Sequence, residues 1–260
     1  MSDQHDPGTS SAAAPLLRVA KLRFAYGRDV ILRDVSFEVD DGELIVLAGR
    51  NGAGKSTLLR CIAGWTTVTS GRVLVAGQPL DEAEREARRH LILVPDLPVF
   101  YDALTAWEHL RLVAGANHVA GWEAHAREML EHFGLWGDRD DFPYTYSRGM
   151  RYKLALCLAL LVEPALLLLD EPLGPLDPVS ADQLWRDLGV YRDAGMSILL
   201  SSHQLPGDVQ PDRYLLMEAG EVVGDGSPAE LRERLDLPEH ATLDVLLRAA
   251  LVDRGAPIGR

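Results

Sequence analysis

A short apolar run, Leu44 to Leu47, is followed after Ala48 by GRNGAGKST, Gly49 to Thr57, and then by LLRCIAG. No other feature constrains the fold as tightly. The run reads as a buried strand and the residues from Lys55 onward as the start of a helix, so the glycine-rich segment is a tight loop joining the two. The pattern Gly, four residues, Gly-Lys-Ser lets the backbone N–H groups of Gly52 to Ser56 turn inward around phosphate oxygens at a helix N-terminus. Glycine permits the positive φ angles that such a turn needs. Lys55 then reaches the β- and γ-phosphates as a point charge, and the Ser56 hydroxyl offers an oxygen to Mg²⁺. The loop is read as a nucleoside triphosphate site. Kinases, GTPases and motor ATPases all carry such loops, so other residues must narrow the class.

Length and charge exclude several alternatives. At 260 residues with 47% hydrophobic content, the chain fits one large domain with room for an inserted subdomain. Lys and Arg number 26 against 39 Asp and Glu, a balance of −13 that argues against broad binding to nucleic acid. The start, MSDQHDPGTSSAAAP, lacks a basic head and apolar run, so residues 1–15 are expected to be a polar flexible tail and not a signal peptide. The longest apolar run, Leu154 to Val162, stops at Glu163-Pro164, well short of the ~20 residues a membrane-spanning helix needs. Cys61 and Cys157 fall in apolar helical patterns and are expected to be buried core thiols.

Along the chain, LLRVAKLRF and ILRDVSFEV alternate as antiparallel strands, RVLVAG is a further strand, and DEAEREARRH is expected to be a charged surface helix. LILVP (Leu91 to Pro95) is a buried strand, after which the spacing is helical from about 104 to 163. Parallel-strand signals return in ALLLLD, SILLSSH and YLLMEAG, separated by SADQLWRDLGVYRDAG. The expected fold is α/β, with an antiparallel β-subdomain and a helical insert on a parallel core. A short helical segment follows from about residue 228.

Two carboxylates, Asp170 and Glu171 in LLLLDEP, end an apolar strand and are delivered to the same sheet edge as the glycine loop. Asp170 suits Mg²⁺ coordination through water, and Glu171 is placed to polarise a water for attack on the γ-phosphate. YSRGM, Tyr146 to Met150, heads a helix in which Ser147 is a plausible N-cap and Gly149 leaves backbone N–H groups accessible, a second anion site. His203 ends another strand at the same edge.

With these motifs in this order, the chain resembles the nucleotide-binding subunits of ABC transporters over roughly residues 16–235. The resemblance rests on Tyr26 in FAYG as the adenine-stacking aromatic, GRNGAGKS as the Walker A loop and YSRGM as the signature. LLLLDEP stands as Walker B, PLDP with Asp177 as the D-loop, and His203 as the switch histidine. It implies a P-loop NTPase core of ABC type with a helical subdomain at about 97–163 and a helical extension at 236–260. The implied ligands are ATP, at Tyr26, Gly49, Arg50, Asn51, Gly52, Ala53, Gly54, Lys55, Ser56, Thr57, Ser147, Arg148, Gly149 and Met150, and Mg²⁺, at Ser56, Asp96 and Asp170. Glu171 is implied as the base and His203 as the γ-phosphate sensor. Also implied are a head-to-tail dimer of identical chains, with each ATP between Walker A of one and the signature of the other, and a permease on a separate chain at the cytoplasmic face of the membrane. Asp96, Phe100, Tyr101 and Asp177 are the implied coupling residues.

Three departures from the family pattern stand out. The usual LSGGQ reads YSRGM, adding Arg148; the D-loop reads PLD in place of GLD; and Asp96 replaces the glutamine after the LILVP strand. Aspartate ligates Mg²⁺ at least as well as an amide. Its charge would also repel a γ-phosphate ~5 Å away by about 3 kcal/mol at an effective dielectric of ~20, so ATP binding is expected to depend more on Mg²⁺. The segment PVFYD with the YSRGM variant resembles single-domain ATPases of bacterial exporters for drugs, antibiotics or membrane components. The alternative reading is a soluble ABC-type ATPase uncoupled from transport. Such proteins usually carry coiled-coil inserts or two ATPase units in one chain, and this sequence has neither.

Overall fold

The computed structural model describes residues 14–203, 205 and 210–253. Most of the expected N-terminal tail, 1–13, and the end of the C-terminal extension, 254–260, lie outside the described residues. Two sheets organise the rest. The first is antiparallel: β1 (Leu17–Tyr26) pairs with β2 (Asp29–Val39) and with β4 (Ser70–Val75), which ends against the two-residue β5 (Gln78–Pro79). β1 buries Leu17 and Val19 and then, past a register shift at Lys21, Leu22 and Phe24, so each half keeps the period of two of a sheet with one wet face.

The second sheet has six strands. β3 (Leu44–Gly49), β6 (Leu91–Val94), β7 (Leu166–Asp170), β8 (Ser197–Ser202) and β9 (Arg213–Glu218) run parallel, and β10 (Glu221–Gly226) returns antiparallel at one edge, in the order β10-β9-β3-β8-β7-β6. Every residue of β3, β7 and β8 is buried, which is why these strands read as continuous apolar runs. The sheet divides the interior into two cores. Leu44, Val46 and Ala48 of β3 and Leu167 and Leu169 of β7 face one of them; Ile45, Leu47, Leu166 and Leu168 face the other. Each buried leucine contributes about 1.5–3 kcal/mol, and a charge at Leu168 would find no water on either face.

On one side of this sheet lie α1 (Lys55–Ile62) and the antiparallel sheet. On the other lie α3 (Ala106–Asn117), α4 (Trp122–His132), α5 (Arg148–Leu160), α6 (Pro178–Asp193) and α8 (Leu243–Asp253), with α7 (Pro228–Arg234) after β10. The helices α3 to α5 fall between β6 and β7 in sequence, where the helical spacing put them. Thr105 and Glu108 form a capping box that starts α3, and Ser227 and Glu230 form another at α7.

One expectation is corrected. The charged helix over DEAEREARRH shrinks to α2 (Glu84–Arg88), because only Ala87 offers it a buried anchor. In the C-terminal segment, α8 buries Leu246 and Ala250 against β3, β9 and β10. Cys61 and Cys157 are free and buried as expected; burial pushes the Cys61 thiol up to about 12 and raises that of Cys157 well above its ordinary value, so neither supplies thiolate near neutrality. Among the described residues no helix is long and apolar enough to cross a membrane.

Candidate functional site

The glycine loop takes its shape from backbone geometry. Gly52 and Gly54 have φ of 84° and 104°, and Gly54 forms the left-handed N-cap of α1. The first N–H groups of α1 have no partner within the helix, as at any helix start, and stay available to an anion. Ala53 departs from the expected inward set, since its N–H donates to the Arg50 carbonyl at 3.0 Å. The loop is anchored by a turn that sequence reading did not single out. Gly220 donates its N–H to the Ala53 carbonyl at 3.0 Å, and its own carbonyl accepts from Arg33 at 2.8 Å, tying the loop to β2.

Lys55 is 6% exposed, and its ammonium donates to the Gly49 carbonyl at 2.8 Å. Its second partner is Glu171, with Nζ and Oε1 3.2 Å apart. The other oxygen of Glu171, Oε2, lies 3.0 Å from Nδ1 of His203. Glu171 therefore bridges the loop lysine and the strand-end histidine, and does so from a left-handed backbone with φ of 47°, a strained conformation for a residue other than glycine. Its N–H donates to the Ser201 hydroxyl at 2.9 Å, which in turn donates to Asp170 Oδ1 at 2.8 Å. Ser56 donates to the same Asp170 oxygen, also at 2.8 Å. Ser201 was missed in the sequence, although the pair of serines closing the apolar strand SILLSSH was the available signal.

A cavity of about 760 Å³ opens over the loop, lined by Gly49 to Ala53, His203, Glu218 and Ala219, with Asp244 and Leu247 of α8 at its rim. Tyr26, at the end of β1, is 53% exposed and packs edge-on against Phe24. Ser56 and Asp170 supply hard oxygens at one point, the donor chemistry Mg²⁺ accepts when phosphates complete its shell. Among the described residues no group of three or more His, Cys, Asp and Glu side chains forms a cage for a metal.

Ser147 caps α5, accepting from the Met150 N–H at 3.2 Å. A Cβ at Gly149 would approach the Pro175 carbonyl to 3.1 Å, so the PLGPLD loop sits close on the helix start and would have to give by a few tenths of an ångström for a larger residue. Asp177 caps α6, accepting from the Ser180 N–H at 3.0 Å and the Ser180 hydroxyl at 2.6 Å; these hydrogen bonds, side chain first, hold its carboxyl below the ordinary range.

Asp96 differs from expectation. Its Oδ1 accepts from the Arg148 guanidinium at 2.6 Å, so the oxygen expected to face a metal is spent on an ion pair. The two departures from the family pattern thus meet each other, and each neutralises the other's charge. The Phe100 ring is half-buried, edge-on to His109 at 5.4 Å, whereas Leu97, Val99 and Tyr101 are exposed. Thr57 is half-buried on α1, and Arg50 and Asn51 are exposed at the cavity rim.

A phosphate-type loop at a helix start, a buried lysine beside it and a strand-end Asp-Glu pair on a parallel sheet define a P-loop nucleoside triphosphatase. The second helix start, at Ser147, and the strand-end His203 restrict the class further. The family model described as ABC transporter matches residues 32–174. The chain belongs to the ABC transporter ATP-binding proteins. It is 33% identical to the ABC-type transporter ATP-binding protein EcsA of Bacillus subtilis (strain 168) over 243 residues, 92% of this chain and 98% of the relative. It is 35% identical to the aliphatic sulfonates import ATP-binding protein SsuB 3 of Pseudomonas syringae pv. syringae (strain B728a), covering 79% of this chain and 74% of the relative. The solved ATP binding subunit of an ABC transporter superposes with a TM-score of 0.82 at 33% identity, over 90% of this chain and 99% of that one.

Proposed function

We propose that this ABC ATPase drives transport through a separate membrane-spanning subunit, and that the direction is export. The observation that carries the catalytic part is the placement of Glu171 between Lys55 and His203. One carboxylate within reach of both the phosphate-binding ammonium and the imidazole is set where an attacking water must lose its proton. Lys55, the N–H groups at the start of α1 and the Ser56 hydroxyl bind and orient the triphosphate, with Tyr26 stacking on the base. Mg²⁺, when bound at Ser56 and Asp170, would neutralise charge on the phosphates. Glu171 holds the water and takes its proton, and His203 orients Glu171 and senses the γ-phosphate. Ser147 to Met150 of a second, identical copy face the same nucleotide in a head-to-tail pair, and Asp96 would be free to help hold Mg²⁺ only with its Arg148 pair open.

The helical insert between β6 and β7, with exposed Leu97, Val99 and Tyr101 at its edge, is the face offered to the membrane subunit, and Phe100 and Asp177 transmit its position. This would place the chain at the cytoplasmic face of the membrane. Export is favoured by the PVFYD and YSRGM segments, and SsuB 3, an import protein by name, marks the opposite direction. The test is co-purification with the membrane partner, followed by ATP hydrolysis and cargo movement in proteoliposomes. ATP-driven efflux with stimulated hydrolysis is the expected result. Uptake would reverse the direction, and hydrolysis unaffected by any membrane partner would favour an uncoupled ATPase.

A further inference from the structure

Tyr152 lies in the middle of the molecule and has no exposed surface. Its ring packs in the core among the strands of the parallel sheet, but its hydroxyl has no hydrogen-bond partner among the described residues. Phenylalanine would fill the same space without burying a polar atom, so packing does not account for the hydroxyl.

Its position on the helix shows what it faces. Tyr152 is four residues beyond Arg148, one turn along the same face of α5, and Arg148 reaches Asp96. β6 and β7 are in register up to Val94 and Leu169, so Asp96, two residues past Val94, and Asp170, next after Leu169, leave the sheet at the same edge. The face of α5 that carries Tyr152 is therefore turned towards the strand ends that bear Asp96, Asp170 and Glu171. Burial, and then the charges of Asp170, Asp96 and Glu171, raise its phenol well above the ordinary value. Ionised carboxylates only accept, so a tyrosine hydroxyl that pairs with one of them must donate.

We infer that Tyr152 is a positioning residue for hydrolysis: in the arrangement that cleaves ATP, its hydroxyl donates to Asp170 and fixes the start of α5 against the strand end that carries Glu171. Of the three carboxylates at this edge only Asp170 is as buried as the hydroxyl, with Oδ1 held by Ser56 and Ser201, whereas Glu171 is engaged by Lys55 and His203 and Asp96 by Arg148. A donor from α5 completes that hold from the helix side. A shift of α5 then reaches Asp170, and through the peptide bond Glu171, without passing through the nucleotide. The inference rests on the proposed ATPase chemistry and adds a residue that does not touch the substrate.

The experiment compares ATP hydrolysis by the full-length chain with Tyr152→Phe and Tyr152→Leu, measuring kcat, KM for ATP and Tm. For Tyr152→Phe the expected result is a kcat lowered about tenfold or more, with KM within about twofold and Tm equal or higher. Tyr152→Leu, which also removes the ring, should add a fall in Tm. The inference is overturned if Tyr152→Phe hydrolyses ATP at the wild-type rate with Tm unchanged or raised, because the hydroxyl is then only a buried polar atom. It is equally overturned if Tm falls and KM and kcat both worsen, which describes a structural role. A wild-type chain that does not hydrolyse ATP at all would instead sink the functional reading itself.

Discussion

Replacing Glu171 with glutamine should tighten ATP binding while abolishing hydrolysis. Lys55 is the ammonium a triphosphate needs, and Glu171 Oε1 already holds it at 3.2 Å. At that separation and an effective dielectric of ~20, the bare Coulomb attraction is about 5 kcal/mol. Much of this is offset by the desolvation of Lys55 and by the water that reaches Glu171, which is 23% exposed. A net value of about 1.5 kcal/mol lies between an exposed pair at 0–1 kcal/mol and a broken buried pair at 3–5. An incoming phosphate must outcompete that pairing, so a neutral isostere should lower the Kd for ATP about tenfold. The same loss should destabilise the protein without nucleotide, by about 3–6 °C in Tm for a chain of this size, and ATP should restore it. The assay is calorimetric titration of a non-hydrolysable ATP analogue into both proteins at one Mg²⁺ concentration, with thermal melts alongside. Lys55→Ala should weaken binding about 10–100-fold through loss of a charge-assisted contact. In the double substitution the gain from Glu171→Gln should vanish. An unchanged or weaker Kd in a folded Glu171→Gln protein would refute the competition argument.

Because Arg148 neutralises Asp96 at 2.6 Å, Arg148→Ala should make ATP binding steeper in Mg²⁺ and adding Asp96→Gln should flatten it again; coincident curves in a Glu171→Gln background would place Asp96 outside the metal's influence. The hydrogen bonds from Ser180 lower the folded-state pKa of Asp177, so the carboxylate form favours the fold and its stabilisation is full above the ordinary carboxylate range and lost as pH falls through and below it. Asp177→Asn, which can still cap α6, should flatten that acid limb of Tm against pH, and an unaltered limb would count against the cap as its source. A charge at exposed Tyr101 should leave the fold intact and uncouple transport from basal hydrolysis, whereas a charge at half-buried Phe100 should lower Tm first; the reverse ranking in melts and transport assays would overturn this division.

What this chain's sequence determines alone is what short range encodes. A run such as LLLLD must be covered on both faces, so it is a central parallel strand. Gly52 and Gly54 around Ala53, with Lys55 and Ser56 at a helix start after a buried strand, announce a phosphate loop because positive φ and unpaired N–H groups are local properties. Ser147, followed by apolar helical spacing, announces the cap of α5 in the same way.

The partner of each charged side chain was not legible, because partners are chosen by packing between segments far apart in the chain. Lys55 meets Glu171 from 116 positions away, and Ser201 joins Asp170 to Glu171 from the next strand. Asp96 and Arg148 could be seen as two separate departures from a pattern, but only the register of β6 on β7 and the seat of α5 make them one ion pair. The same packing turned Phe100 inward and α8 onto the sheet, and buried the hydroxyl of Tyr152 with no partner among the described residues. Side-chain contacts of this kind depend on ångström distances between elements, and hydrophobic periodicity carries no information about those distances.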